Sequence, residues 1–428
     1  MHREIHTCER RAIFGLFVSR HRLKPCRMEN FFKELGQTVL ARWKAQNFSL
    51  PAFAEIARAA LEERPPAEHV DMDELIRHFL LDDEQPRQTH SGFGQPELVV
   101  FEDPRMYIQI LFWLEGTTDI HQHEFSGAFH VLSGSSIHSM FTFANAQSIT
   151  SHLRVGDLAM KETHLLETGS TVPIVSGRDY IHSLFHLDTP SATVVVRTQT
   201  DPGTGPQFTY LPPHLAVDPV QEDSLTMRRK QLLDLLEKTE NAEYPGLVAA
   251  MVEELDFERG FFILQNSATA LHEIGEWESV WEVFQRKHGK LAEYVPETLD
   301  EIARRDGITA LRATVTEVEH RFFLALLLNV PEREGILRMV AQRFHDEEPI
   351  QTVLRWAEEL IENSDEGTWL IDAEYPEASE IDVDDRPQVF LAALAYFLCA
   401  SDTPQIAKEE LESLRNVFRE SSWRALMV

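Results

Sequence analysis

The residues best suited to chemistry in this chain fall in one stretch, HQHEFSGAFHVLSG, at residues 121 to 134. His121 and His123 stand two apart, and positions two apart on a strand share a face, so both imidazoles can aim at one point. Neutral imidazole binds Zn, Fe, Cu or Ni at about 2.0 to 2.1 Å, and two ligands from one strand need a third from elsewhere. The segment DYIHSLFHL offers it. His182 is the candidate; His186, four residues on, shares its face in a regular strand and competes for the role. Glu124 adjoins His123, so a regular strand sends its carboxylate to the opposite face, toward solvent or behind the ligands.

Other constellations are weaker. His138, His152 and His164 are scattered through the same region and are expected to line a pocket or the surface. Glu317 and His320 form an ExxH, the spacing of di-iron helical bundles, but such a site needs a second ExxH. None occurs, so a charged helix face is expected there. No GxGxxG, Walker A loop or GxSxG motif points to nucleotide binding or an elbow serine.

Ligands on separate strands need a β scaffold, and the chain supplies one between two helical regions. ENFFKELGQTVLARW and LPAFAEIARAALEE carry apolar residues at helical spacing, with Pro51 in the first turn of the second, and MDELIRHFLL reads as a third helix. From about Phe93 the period becomes two: MYIQILFWLE, GAFHVLSG, SSIHSMFTF, YIHSLFHL and SATVVVRT are short β-rich runs broken by turn residues. Strands without intervening helices predict an antiparallel sandwich or barrel. The Pro- and Gly-rich TDPGTGPQFTYLPPHLAVDPVQEDS then reads as a connection with one strand at QFTYL.

The rest is helical, without a convincing fixed repeat, and the acidic stretch from Asn363 to Asp385 reads as a solvated loop. The fold class is therefore α+β. A basic arm spans 1–27, a helical segment 28–90, the β-barrel 91–200, a linker 201–223 and an all-α domain 224–428.

Composition narrows the partners. A formal charge of −30 over 428 residues opposes nucleic acid, whose phosphates are bound by clustered Lys and Arg, and repels anionic membranes. The three cysteines, Cys8, Cys26 and Cys399, form no CxxC pair and fit a reducing, cytoplasmic setting. No run of about 18 apolar residues suggests a membrane span. The run AIFGLFVS near the start is followed by SRHR rather than a small-residue cleavage site, so it is a poor secretory signal.

The segment MYIQILFWLEGTTDIHQHEFSGAFHVLSGSSIHSMF resembles the first motif of cupins, and most closely the cysteine dioxygenase (thiol dioxygenase) type, in the order of Trp113, Glu115, Gly116, Ile120, His121, His123, Leu132 and Gly134. The second motif, a His opening a strand before a hydrophobic one, fits His182 followed by ATVVV, and the resemblance covers about residues 29 to 200. It implies a double-stranded jelly roll in which His121, His123 and His182 bind Fe(II), with substrate and O2 meeting at the iron. Zn, Mn or Ni would also suit the ligands.

Two departures concern the substrate. Where the family's cysteine-specific enzymes carry a carboxylate-clamping arginine, this chain reads GQPELVV, and their cysteine–tyrosine crosslink finds Gly127 or Ala128 and Gln199 instead. Arg197 would bind a carboxylate if it points inward, although an outward, salt-bridged arginine is the expectation. Trp113, expected in the core, and His186 are the other substrate-wall candidates. The substrate, whether thiol, peptide or carrier-bound, is open, and the C-terminal helices are expected to cover the barrel mouth or dock a protein or carrier. A non-oxidative metal cupin (isomerase or hydrolase) and a ligand-binding or regulatory barrel are the alternatives.

Overall fold

The runs at 106–113 and 191–198 are largely buried on both faces. In a computed structural model, residues 27–89, 93–116, 119–220, 223–363, 385–398 and 408–428 are described. The basic arm, all three cysteines and most of the acidic 363–385 stretch lie outside them.

Three helices lead in: α1 (Arg27–Ala45), α2 (Leu50–Glu63) and α3 (Met72–Leu81). Pro51 sits in the first turn of α2 as expected, and the Trp43 indole donates to the Ser49 carbonyl, holding the α1–α2 turn. Eleven strands follow: β1 (Glu97–Asp103), β2 (Met106–Trp113), β3 (Ile120–His123), β4 (Gly127–Ser133), β5 (Ser135–Ser148), β6 (Leu153–Glu167), β7 (Thr171–Ile174), β8 (Gly177–His186), β9 (Ser191–Thr198), β10 (Thr209–Leu211) and β11 (Leu215–Val217). One sheet runs β1-β2-β9-β4-β7; the other, β10-β11-β6-β5-β8-β3, closes on itself where β3 pairs with β10. This is the antiparallel double-sheet barrel expected.

One boundary needs correction. The span 201–223, read as linker, supplies β10 within the strand expected at QFTYL, and β11, which was not expected; Thr209 and Tyr210 of β10 pair directly with His121 and Ile120. β11 is three residues long, too short for periodicity to show.

Both sheets are covered on their outer faces. On β2 and β9, Met106, Ile108, Ile110, Phe112, Ala192, Val194 and Val196 pack on Phe32, Val39, Phe53 and Leu61 of the lead-in helices. On the other sheet, Ile137, Leu165, Phe185 and Leu187 join the core of the C-terminal helices, with Phe323 and Trp356 at its centre. Those helices are α4 (Ser224–Lys238), α5 (Tyr244–Glu254), α6 (Phe257–Glu273), α7 (Trp277–His288), α8 (Pro296–Thr314), α9 (Val318–Asn329), α10 (Arg333–Arg343), α11 (Pro349–Asn363), α12 (Arg386–Phe397) and α13 (Lys408–Glu420).

Polar joints fix the docking. The Arg343 guanidinium donates to Ser135 Oγ (2.8 Å) and Asp188 Oδ1 (3.0 Å), and Arg312 donates to the Leu187 carbonyl (3.2 Å). No helix among the described residues is long and apolar enough to cross a membrane.

Candidate metal centre

The inward faces of the two sheets enclose the site. β3 points Ile120 and Gln122 one way and His121 and His123 the other, while β8 turns His182, Leu184 and His186 into the same cavity. His121 and His182 are register partners across β3 and β8. A register shift between Gln122 and His123, a bulge, follows immediately. Such bulges re-aim side chains beside functional sites.

The three histidines form a group whose ligand nitrogens all lie within 4.8 Å of one another. His123 Nε2 and His182 Nε2 are 2.8 Å apart, and His121 Nε2 is buried with no hydrogen-bond partner. Two nitrogens bound at about 2.1 Å to one ion, at roughly a right angle, would stand about 3 Å apart, so the donor set fits a metal. Burial lowers the pKa of His121, against the Asp119 carbonyl that raises it. Burial first, then the other histidines, takes His123 and His182 well below the ordinary range. All three are therefore neutral near pH 7 with lone pairs free for a cation.

His186 is not in this group. It stacks on Trp113, ring centroids 4.5 Å apart, and its Nδ1 lies 3.1 Å from both Ser136 Oγ and Ser191 Oγ. Burial takes its pKa down to about 3. Glu124 is also outside the group, its backbone carbonyl accepting from the Asp201 N–H at 2.7 Å. Far away, His320 on α9 pairs with Glu359 at 2.8 Å, and Glu317, in extended backbone just before the helix rather than on the helix face expected, accepts from Thr316 Oγ1.

A cavity of about 270 Å³ opens from the histidines, walled by β2 and β9 with Tyr107, Gln109, Trp113, Thr193 and Arg197 among its lining residues. Trp113 thus belongs to the wall as well as to the packing of Phe129 and Val195. Arg197 corrects the outward expectation: its guanidinium lies over the Phe125 ring at 3.5 Å and donates to the Thr198 and Gln199 carbonyls. The GQPELVV segment puts Glu97, whose carboxylate accepts from Thr89, on the same wall. Gln109 Oε1, on a side chain 2 % exposed, has no partner. The lining residues run from Thr89 to Gln207, so the C-terminal helices, expected at the mouth, instead back the barrel from outside.

Gly127 opens β4 opposite Arg197. A Cβ there would run into the Val196 carbonyl oxygen, so Gly127, one of the two positions at which the resemblance looks for a cysteine, admits no side chain. Sequence reading expected His138 to line a pocket or the surface; it is buried, and its Nε2 lies 3.1 Å from His182 Nδ1. Its β5 neighbours gave no hint, because cross-strand register has no local signature.

No family model matches the chain, and no curated protein matches it. Among solved structures, the DMSP lyase DddQ of Ruegeria pomeroyi is 17% identical over 39% of this chain and 92% of its own, with a TM-score of 0.22. A cupin protein of Bacteroides fragilis is 14% identical over 29% and 89%, with a TM-score of 0.17. An oxalate oxidase is 16% identical over 39% and 79%, with a TM-score of 0.21. At these values the likeness carries no argument, and the description of the fold rests on the strand pairing above.

Proposed function

We propose that the chain is a mononuclear non-haem Fe(II) oxygenase, similar to thiol dioxygenases, that oxidises a small substrate with O2. The observation that carries this reading is the buried, carboxylate-free group of three neutral histidines lining a cavity. Fe(II) held by three neutral ligands would keep its full charge and open positions, supplying a place where an anionic donor and dioxygen can meet.

The chain's own residues set the rest. His121, His123 and His182 hold the ion, and Arg197 offers a cation to an anionic group of the substrate. Its pKa is lowered by burial, which makes an incoming counter-charge favourable. Gln109 Oε1 is free to accept one hydrogen bond from the substrate. The Trp113–His186 stack forms a flat apolar wall that keeps water from the bound molecule. At about 270 Å³ the cavity stands at the small end of ligand pockets, so a peptide or carrier would insert only its tip.

Metal analysis of protein purified without added metal, followed by anaerobic iron loading and O2 uptake across small thiols and carboxylates, tests the reading. Stoichiometric iron with substrate-dependent O2 uptake is expected. Zinc or manganese without O2 uptake would replace it with a non-oxidative isomerase or hydrolase. Absence of stoichiometric metal would leave a ligand-binding or regulatory barrel.

A further inference from the structure

The site geometry constrains the protons on the ligands as well as the ligands themselves. His123 and His182 meet through their Nε2 atoms and His121 Nε2 is unpartnered, so the ligand protons belong on Nδ1, which in His123 is buried without a hydrogen-bond partner. His121 Nδ1 lies 3.3 Å from the Asp119 carbonyl, which can only accept. His182 Nδ1 instead lies 3.1 Å from His138 Nε2. A ring nitrogen accepts only when it carries no proton, so His138 must hold its own proton on Nδ1.

We infer that His138 is the positioning residue of the metal centre: its Nε2 accepts the His182 Nδ1 proton, fixing that ring's tautomer and aim. The inference rests on the metal reading proposed above. His138 is suited to the task by placement. It is 4 % exposed on β5, the strand paired to β8, and the Phe129 ring meets it edge-on with centroids 5.7 Å apart. The Tyr180 hydroxyl stands 3.5 Å from the same Nε2, longer than a good hydrogen bond, so His182 is the nearer donor.

The test compares wild type, His138→Leu and His138→Gln as full chains, titrated with Co(II) without oxygen and followed by the cobalt d–d absorption. His138→Leu is expected to weaken Co(II) binding roughly 10- to 100-fold and to shift the spectrum, whereas His138→Gln, whose side-chain carbonyl can accept, recovers most of the affinity. Equal losses in both variants, or unchanged affinity in the leucine variant, overturn the inference. The 15N spectrum of Zn(II)-loaded wild type adds a readout other than affinity: a Nδ1–H tautomer at His138 is expected, and a Nε2–H tautomer overturns it. Wild type that binds no Co(II) overturns the three-histidine reading as well, which separates the two failures.

Discussion

His121 and His182 face one another across the β3–β8 pairing, with ring centroids 4.8 Å apart. The site is therefore set by strand register, and a slip of one residue would carry His182 to the outer face, among Phe185 and the C-terminal helices. The ligand group and the barrel's closure are one structural decision.

His182→Ala removes one of three ligands and leaves a pair. Its Co(II) affinity is expected to fall by more than the roughly 10- to 100-fold that loss of an outer hydrogen-bond partner costs. Purified variant retaining wild-type metal content would sink the triad.

Arg197→Met keeps the stacking volume beside Phe125 and removes the charge. Charge-assisted hydrogen bonds are worth about 1.5 to 3 kcal/mol, so binding of small carboxylates is expected to weaken roughly 10- to 100-fold with metal content unchanged. Titration of the Co(II) protein measures this, and Arg197→Lys should recover part of the loss. An unaltered affinity removes Arg197 from the substrate wall.

Gly127→Ala forces β4 away from the Val196 carbonyl. Overpacking of this kind costs about 1 to 3 kcal/mol, to be read as a lower urea midpoint with the slope unchanged. A midpoint equal to wild type would mean that the two strands separate freely there.

His130 gives the barrel an acid limit. It has no accessible surface, its Nε2 accepts the Ala67 N–H at 3.3 Å, and its Nδ1 lies 2.8 Å from Thr171 Oγ1. Burial lowers its pKa from 6.5 to about 4. A depressed folded pKa means that the unfolded chain binds the proton first. The stabilisation is thus complete above pH 6.5 and is lost as pH falls toward about 4, on the order of 3 kcal/mol in all. His130→Gln should flatten the fall in urea midpoint across that window; a slope identical to wild type rejects the assignment.

A strand's period of two put His121 and His123 on one face and set Glu124 aside, but it left His182 and His186 as competitors; the resemblance pointed to His182, the one the structure groups with the pair. His138 was not legible, since its value lies in the strand it pairs with. Arg197 needed the structure too, because a lone arginine at a strand end reads equally well inward or outward. The helices at both ends were visible in their periodicity. That they coat opposite faces of one barrel was not, because each apolar stripe is silent about which surface it meets.

That double coat has a consequence for how the barrel could change. On β2 the residues Met106, Ile108, Ile110 and Phe112 answer to the lead-in helices, while Tyr107, Gln109, Leu111 and Trp113 answer to the cavity. Alternate positions thus meet separate packing constraints. A new substrate preference can be written in every second residue of β2 and β9 without disturbing the helical coat behind them.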